Sequence, residues 1–156
     1  MLLPFFTWCE ASFVGQTIRE SLWLFPVIEA VHLIGLAVIG GTVLLVDLRL
    51  LGWGLRQPVH EVARAVRPWF LVSLVVMIVT GVSLFLSESV KCYYSQAFWV
   101  KMTCLPLAIA FTLTIKARVV RRQDHDIRPL VATLVALMSL ALWFTVGAAG
   151  RWIGFS

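Results

Sequence analysis

Apolar positions gather into four long runs along the chain, at about 24–51, 69–86, 98–115 and 130–147, with short polar stretches between them. A bilayer span needs about 20 mostly apolar residues at a rise of about 1.5 Å each. All four runs qualify, and the first is several residues longer than required, so it should tilt or project from the membrane. Backbone N–H and C=O groups in lipid must be bonded within their own segment, so each run predicts a helix. Short connections predict antiparallel neighbours. The expected fold is all-α: an integral membrane four-helix bundle in a single domain over 1–156.

Before the first span, residues of about 5–22 predict an amphipathic helix lying at the membrane interface. Trp8, Ala11, Gly15, Ile18 and Leu22 form one stripe at helical spacing, while Glu10, Gln16, Thr17 and Ser21 face elsewhere. Phe13 falls off this stripe and Arg19 borders it. The opening "MLLPFFTWCE" is unlike a cleaved leader: it has no early basic residue, Pro4 breaks the apolar run and Glu10 ends it.

Composition agrees with a membrane class. Hydrophobic residues make up 60% and charged residues 13%, against roughly half and a quarter in soluble domains. Mean hydropathy is +0.92. Lys and Arg outnumber Asp and Glu by 13 to 8, but the excess is confined to two connections. Arg49, Arg56, Arg64 and Arg67 mark the first, and Lys116, Arg118, Arg121, Arg122 and Arg128 the second. Such a bias sets topology and gives no reason to invoke nucleic acid. It predicts cytoplasmic basic loops and both termini on the periplasmic side of a bacterial inner membrane, beside Glu10, Arg19, Glu20, Glu88, Lys91 and Arg151. Cys9 and Cys92 then share an oxidising side, so a disulfide between them is open, as is the alternative of unpaired thiols. Cys104 falls within the third span. No cysteine spacing suits a paired metal site.

The first span carries the chemistry. In "WLFPVIEAVHLIGLAVIGGTVLLVDLRLL", Glu29, His32, Leu36, Gly40, Val43 and Asp47 fall within about 80° of one another on a helical wheel. Charged groups at the bilayer centre cost about 2.5–3.5 kcal/mol or more, so a shared polar face points into the bundle. Asp47, near the basic end, is placed to pair with an arginine of the basic loop. Glu29 and His32, three residues apart, can touch or share a partner. His32 lies about 12 Å below the surface, and His60 and His125 belong to the basic connections. Two readings stand. His32 is an interhelical hydrogen-bond residue tied to Glu29, or it is a ligand for a metal or haem iron.

In the third span, "AFWVKMTCLPLAIAFTL" places Lys101 about one turn below the surface, in the same half of the membrane. It either snorkels outward or faces a carboxylate inside. Pro106 frees the carbonyl of Met102 and predicts a bend nearby. Arg151, in the closing "GAAGRWIGF", reaches the same rim. Haem has what such a set needs: an iron for the imidazole and two propionates for the cations. Met77, Met102 and Met138 qualify as second axial ligands by residue type alone. Thr80 and Gly81, in the second span, form a small notch for helix contact or a porphyrin edge.

The segments "ExxHLIGLAVIGGTVLLVDLRLLG", "RPWFLVSLVVMIVTGVSLFL", "AFWVKM" and "GRWI" together resemble a family of small, uncharacterised bacterial four-helix membrane proteins, over roughly Glu20 to Phe155. More distantly, the His-xx-Gly of the first span and the lysine of the third are similar to CopD-type copper-resistance proteins and HemJ-type protoporphyrinogen oxidases. The HemJ likeness implies haem b, with His32 and Lys101 as the matching positions. Further histidines usual in that type are not evident here, and its reaction is not carried over.

The expected function is therefore haem b binding in electron transfer or oxidoreduction. His32 would be an axial ligand, Glu29 would orient it or relay a proton, and Lys101 with Arg151 would hold propionates. A quinone or another lipid-soluble reductant is the matching partner. The alternatives are a transporter or copper-handling module using Glu29, His32 and Asp47 as a polar path, or an accessory subunit of a larger respiratory or photosynthetic complex. Gly-rich faces also allow a homo-oligomer.

Overall fold

The four apolar runs become four helical rods in a computed structural model, which describes residues 2–54, 57–122 and 129–154. Two short helices, α1 (Leu3–Glu10) and α2 (Phe13–Glu20), precede α3 (Leu24–Leu50) and α4 (Val59–Ser87). A one-and-a-half-turn helix, α5 (Ser89–Tyr94), leads into α6 (Gln96–Phe111), which continues through a π-helical segment (Thr112–Lys116) into α7 (Ala117–Arg122). The last rod is α8 (Pro129–Ile153). Four stretches, 24–50, 59–87, 96–121 and 129–153, are long and apolar enough to cross a membrane. No strand occurs among the described residues. Arg56, His125, Arg128 and Phe155, and the side chain of Arg122, lie outside the described part of the chain.

Packing follows from which faces can be buried. Helix α3 packs against both α4 and α8, and α8 packs against α6, whereas α4 and α6 share no comparable interface. The central core is Ile39, Val43, Phe70, Leu74, Ala108, Trp143 and Val146. A second cluster, built on Val46, Leu50, Val59, Val62 and Val120, closes the end that bears the basic connections. Phe6, Cys92 and Phe98 close the other end, where both terminal segments lie. The outward faces stay apolar, as with Val72, Val75 and Val79 on α4, which suits contact with acyl chains rather than water.

The second helix begins ten residues before the expected 69. Residues 59–67 are amphipathic, with Val59 and Val62 buried and Glu61, Arg64 and Arg67 exposed, so a hydropathy run misses them. Pro68 sits inside this helix and removes one backbone bond without ending it. The third rod likewise carries on through Pro106, and its departure from α geometry comes later, at 112–116.

The single interfacial helix expected over 5–22 is instead two helices. Ser12 adopts extended geometry (ψ 150°) and its hydroxyl accepts from the Gly15 N–H at 3.2 Å, capping α2. That break changes the helical phase, so the expected stripe does not hold. Trp8 and Leu22 are 70% and 87% exposed, while Phe6, Cys9, Gly15 and Ile18 are buried. Glu10 ties this hairpin to the bundle: it pairs with Arg19 at 2.7 Å and accepts from the Val90 N–H of α5 at 2.7 Å. The disulfide left open between Cys9 and Cys92 is not formed; all three cysteines are free thiols.

Gly15 lets α2 press onto the end of α4. A Cβ there would overlap the Leu86 carbonyl oxygen, which is backbone and cannot swing away. Gly15→Ala is expected to cost about 1–3 kcal/mol through overpacking, read as a lower melting temperature in detergent. A melting temperature equal to that of the parent would contradict this contact.

Candidate functional site

His32, on α3, is fixed from the neighbouring helix. Its Nδ1 lies 2.7 Å from the Thr80 hydroxyl oxygen of α4, and that hydroxyl donates its one proton to the Val76 carbonyl at 2.6 Å. With its proton spent, Thr80 can only accept, so Nδ1 carries the imidazole hydrogen and Nε2 keeps a lone pair. Gly81 makes room for the ring: a Cβ at that position would meet His32 Cε1 at 3.3 Å. The Thr80–Gly81 notch thus receives the imidazole itself. No hydrogen bond joins Glu29 to His32 among the described residues, so the orienting half of the role expected of Glu29 falls to Thr80.

Lys101 points inward from α6. Its Nζ, Cε and Cδ lie 3.6, 3.8 and 3.9 Å from the place a Cβ on Gly150 would occupy, so its stem crosses α8 at a glycine. Glu29, His32, Lys101 and Arg151 line one cavity of about 170 Å³ between α3, α4, α6 and α8 at the terminal end of the bundle. The four residues singled out in the sequence are thereby brought together. Glu88 and Cys92 also line it; their place just beyond the second span gave no sequence signal for this role. An adjoining cavity of about 280 Å³, almost entirely apolar, shares His32, Met77, Gly81 and Lys101 and extends toward Met102 and Trp143. Of the three methionines, Met77 borders both cavities and Met102 only the second, whereas Met138 is exposed and borders neither.

Among the described residues, no hydrogen bond or ion pair within the chain engages the Lys101 ammonium or the Glu29 carboxylate. The cavity therefore offers an imidazole lone pair, a cation and a carboxylate to whatever enters it. No group of three or more His, Cys, Asp or Glu side chains suited to a bare metal ion occurs among the described residues.

Asp47 belongs to a different cluster. It is fully buried, 2.6 Å from Lys116 Nζ, and accepts from the Ser139 hydroxyl at 2.7 Å. Lys116 also donates to Ser139 Oγ at 3.1 Å. The expected arginine partner is thus replaced by a lysine. The π-helical segment ends on Lys116, and its wider turn shifts the phase of side chains on that rod. The basic-loop arginine nearest in sequence, Arg49, instead donates to the Gln57 carbonyl. Between this triad and the cavity lies the apolar layer of Ile39, Val43, Phe70 and Trp143. The polar face of α3 is therefore divided rather than continuous.

Residues 5–156 match a family of unknown function (DUF6644), and the chain belongs to it. No curated protein and no solved structure matches the chain. The likeness to CopD-type and HemJ-type proteins has no counterpart among these comparisons.

Two outcomes follow from the geometry. Lys116→Met strands the Asp47 carboxylate in the interior and is expected to cost about 3–5 kcal/mol. The pair Asp47→Asn with Lys116→Met should recover much of that loss in a detergent melting series. Burial, with Glu88 nearby, raises the Cys92 thiol from 9.0 to about 11. The neutral thiol is the form the fold favours, so its stabilising contribution is intact below about pH 9 and disappears as pH rises through about 11. Iodoacetamide mapping should find Cys92 unmodified at pH 8 and labelled only toward pH 11; rapid labelling at pH 8 would refute the assignment.

Proposed function

We propose that this protein binds haem b in the cavity between its four membrane helices and serves electron transfer or oxidoreduction in the inner membrane. The basic connections would face the cytoplasm and both termini the periplasm, following the charge bias. The observation that carries the reading is the anchoring of His32. Its Nδ1 lies 2.7 Å from a Thr80 hydroxyl that already donates to the Val76 carbonyl, an arrangement that favours the hydrogen on Nδ1 and a lone pair on Nε2, on a ring beside a cavity. Metal-bound histidines are held in this way through their second nitrogen.

The other residues present fit the same group. A porphyrin needs a mainly apolar slot, and the adjoining apolar cavity supplies one. Propionates need cations at one edge, and Lys101 and Arg151 both line the cavity. Met77 borders both cavities and is the methionine best placed as a second ligand. Glu29, on the polar side, would accept or release a proton in step with changes of charge nearby. Haem, when bound, supplies one-electron chemistry whose potential responds to ligand, burial and neighbouring charge. A quinol or another lipid-soluble reductant is the matching partner. The apolar layer between His32 and Asp47 gives no support to the rival polar path for ions.

Oxidised and dithionite-reduced spectra of the purified protein test this directly. The parent, expressed with ample haem supply, should show a reduced α-band that His32→Ala abolishes. Thr80→Val should retain the band and weaken haem affinity about 10–100-fold, as loss of a ligand's supporting hydrogen bond does. A colourless parent protein sinks the proposal.

A further inference from the structure

The bundle is closed on three sides and open on the fourth. Interfaces join α4 to α3, α3 to α8 and α8 to α6, but among the described residues α4 and α6 share no comparable one. At the terminal end the two are bridged by Phe85 stacked on Phe98, with ring centres 5.5 Å apart and planes 12° from parallel. Toward the basic end, α4 meets α7, where Val59 and Val62 join Val120 in one cluster. Between these closures remains a cleft walled by Ile78 and Val82 of α4 and by Met102 and Leu105 of α6. Ile78, Val82 and Met102 are 49%, 52% and 48% exposed, on the faces that meet lipid. At its inner end stand His32 and Lys101.

This arrangement combines two independent features: an apolar cleft facing the bilayer, and an ammonium at its inner end that makes no hydrogen bond or ion pair within the described chain. A desolvated cation attracts an anion strongly, and only an anion with an apolar body can reach it through such walls. We propose that the cleft between α4 and α6 is a lateral portal, through which the site takes a carboxylate-bearing amphiphile directly from the membrane. The carboxylate anchors on Lys101 and the apolar body lies along Val82 and Met102. The inference deepens the haem reading by giving the route and orientation of the ligand, with propionates toward the terminal end and the apolar edge in the cleft. The portal itself stands on the geometry alone.

The test uses the full chain in lipid vesicles containing a palmitic acid with a photoreactive diazirine near its carboxyl end. Cross-links mapped by mass spectrometry should concentrate on 78–82 and 102–105. They should fall at least about tenfold in Lys101→Met, the loss expected for a charge-assisted hydrogen bond, and persist in Lys101→Arg. Val82→Trp with Met102→Trp, on lipid-exposed faces, should block labelling while the melting temperature is kept. Labelling spread evenly over the lipid-facing helices, or unchanged by Lys101→Met, overturns the portal. Haemin added in competition separates the two readings. Displacement of the probe supports both, and binding without displacement overturns the portal. Absence of haemin binding with labelling intact overturns the haem reading and leaves the portal in place.

Discussion

A charge carried into a membrane interior has to be compensated there, and two lysines on the third rod meet this demand in opposite ways. Lys116 is locked to Asp47 and Ser139 from two other helices. It joins α3, the third rod and α8 at one level and satisfies itself inside the chain. Lys101, fifteen residues earlier, turns inward over Gly150 and is only partly buried, and no ion pair among the described residues engages it. The first lysine is architecture. The second gives the cavity its chemical character.

The site depends on shape as much as on charge. Two of the polar groups enter where a neighbouring helix is cut back to glycine: His32 against Gly81 and Lys101 against Gly150. Aromatic rings of α1, α4, α5 and α6 then close the terminal end, with Phe6 contacting Phe85, Tyr93 and Phe98. The N-terminal hairpin is thus continuous with the wall of the cavity, since Phe85 and Phe98 also line it. It covers the polar end of the bundle.

Much of this was legible in the residues and some was not, for definable reasons. The four spans were readable because apolar runs of that length have few alternatives. The grouping of Glu29, His32, Lys101 and Arg151 was readable because depth in a membrane can be counted along each helix. Partners across helices were not readable in the same way. Thr80 and Ser139 are ordinary hydroxyls whose importance depends on the rotation of one rod against another. The start of α4 was hidden by its charged face, and the division of the N-terminal segment by a single serine that caps a new helix. Lys116 could not be matched to Asp47 because a regular α-helix would give it a different phase.

The widened turn at Thr112–Lys116 couples chain length to electrostatics. Each residue gained or lost there rotates everything downstream by about 100°. A one-residue deletion in that turn would leave composition and hydropathy almost untouched while swinging the ammonium toward acyl chains and stranding its acid. In this chain, then, the length of the third helix up to Lys116 and the acid at Asp47 form a single unit, so that a shift in the one is felt as a stranded charge in the other.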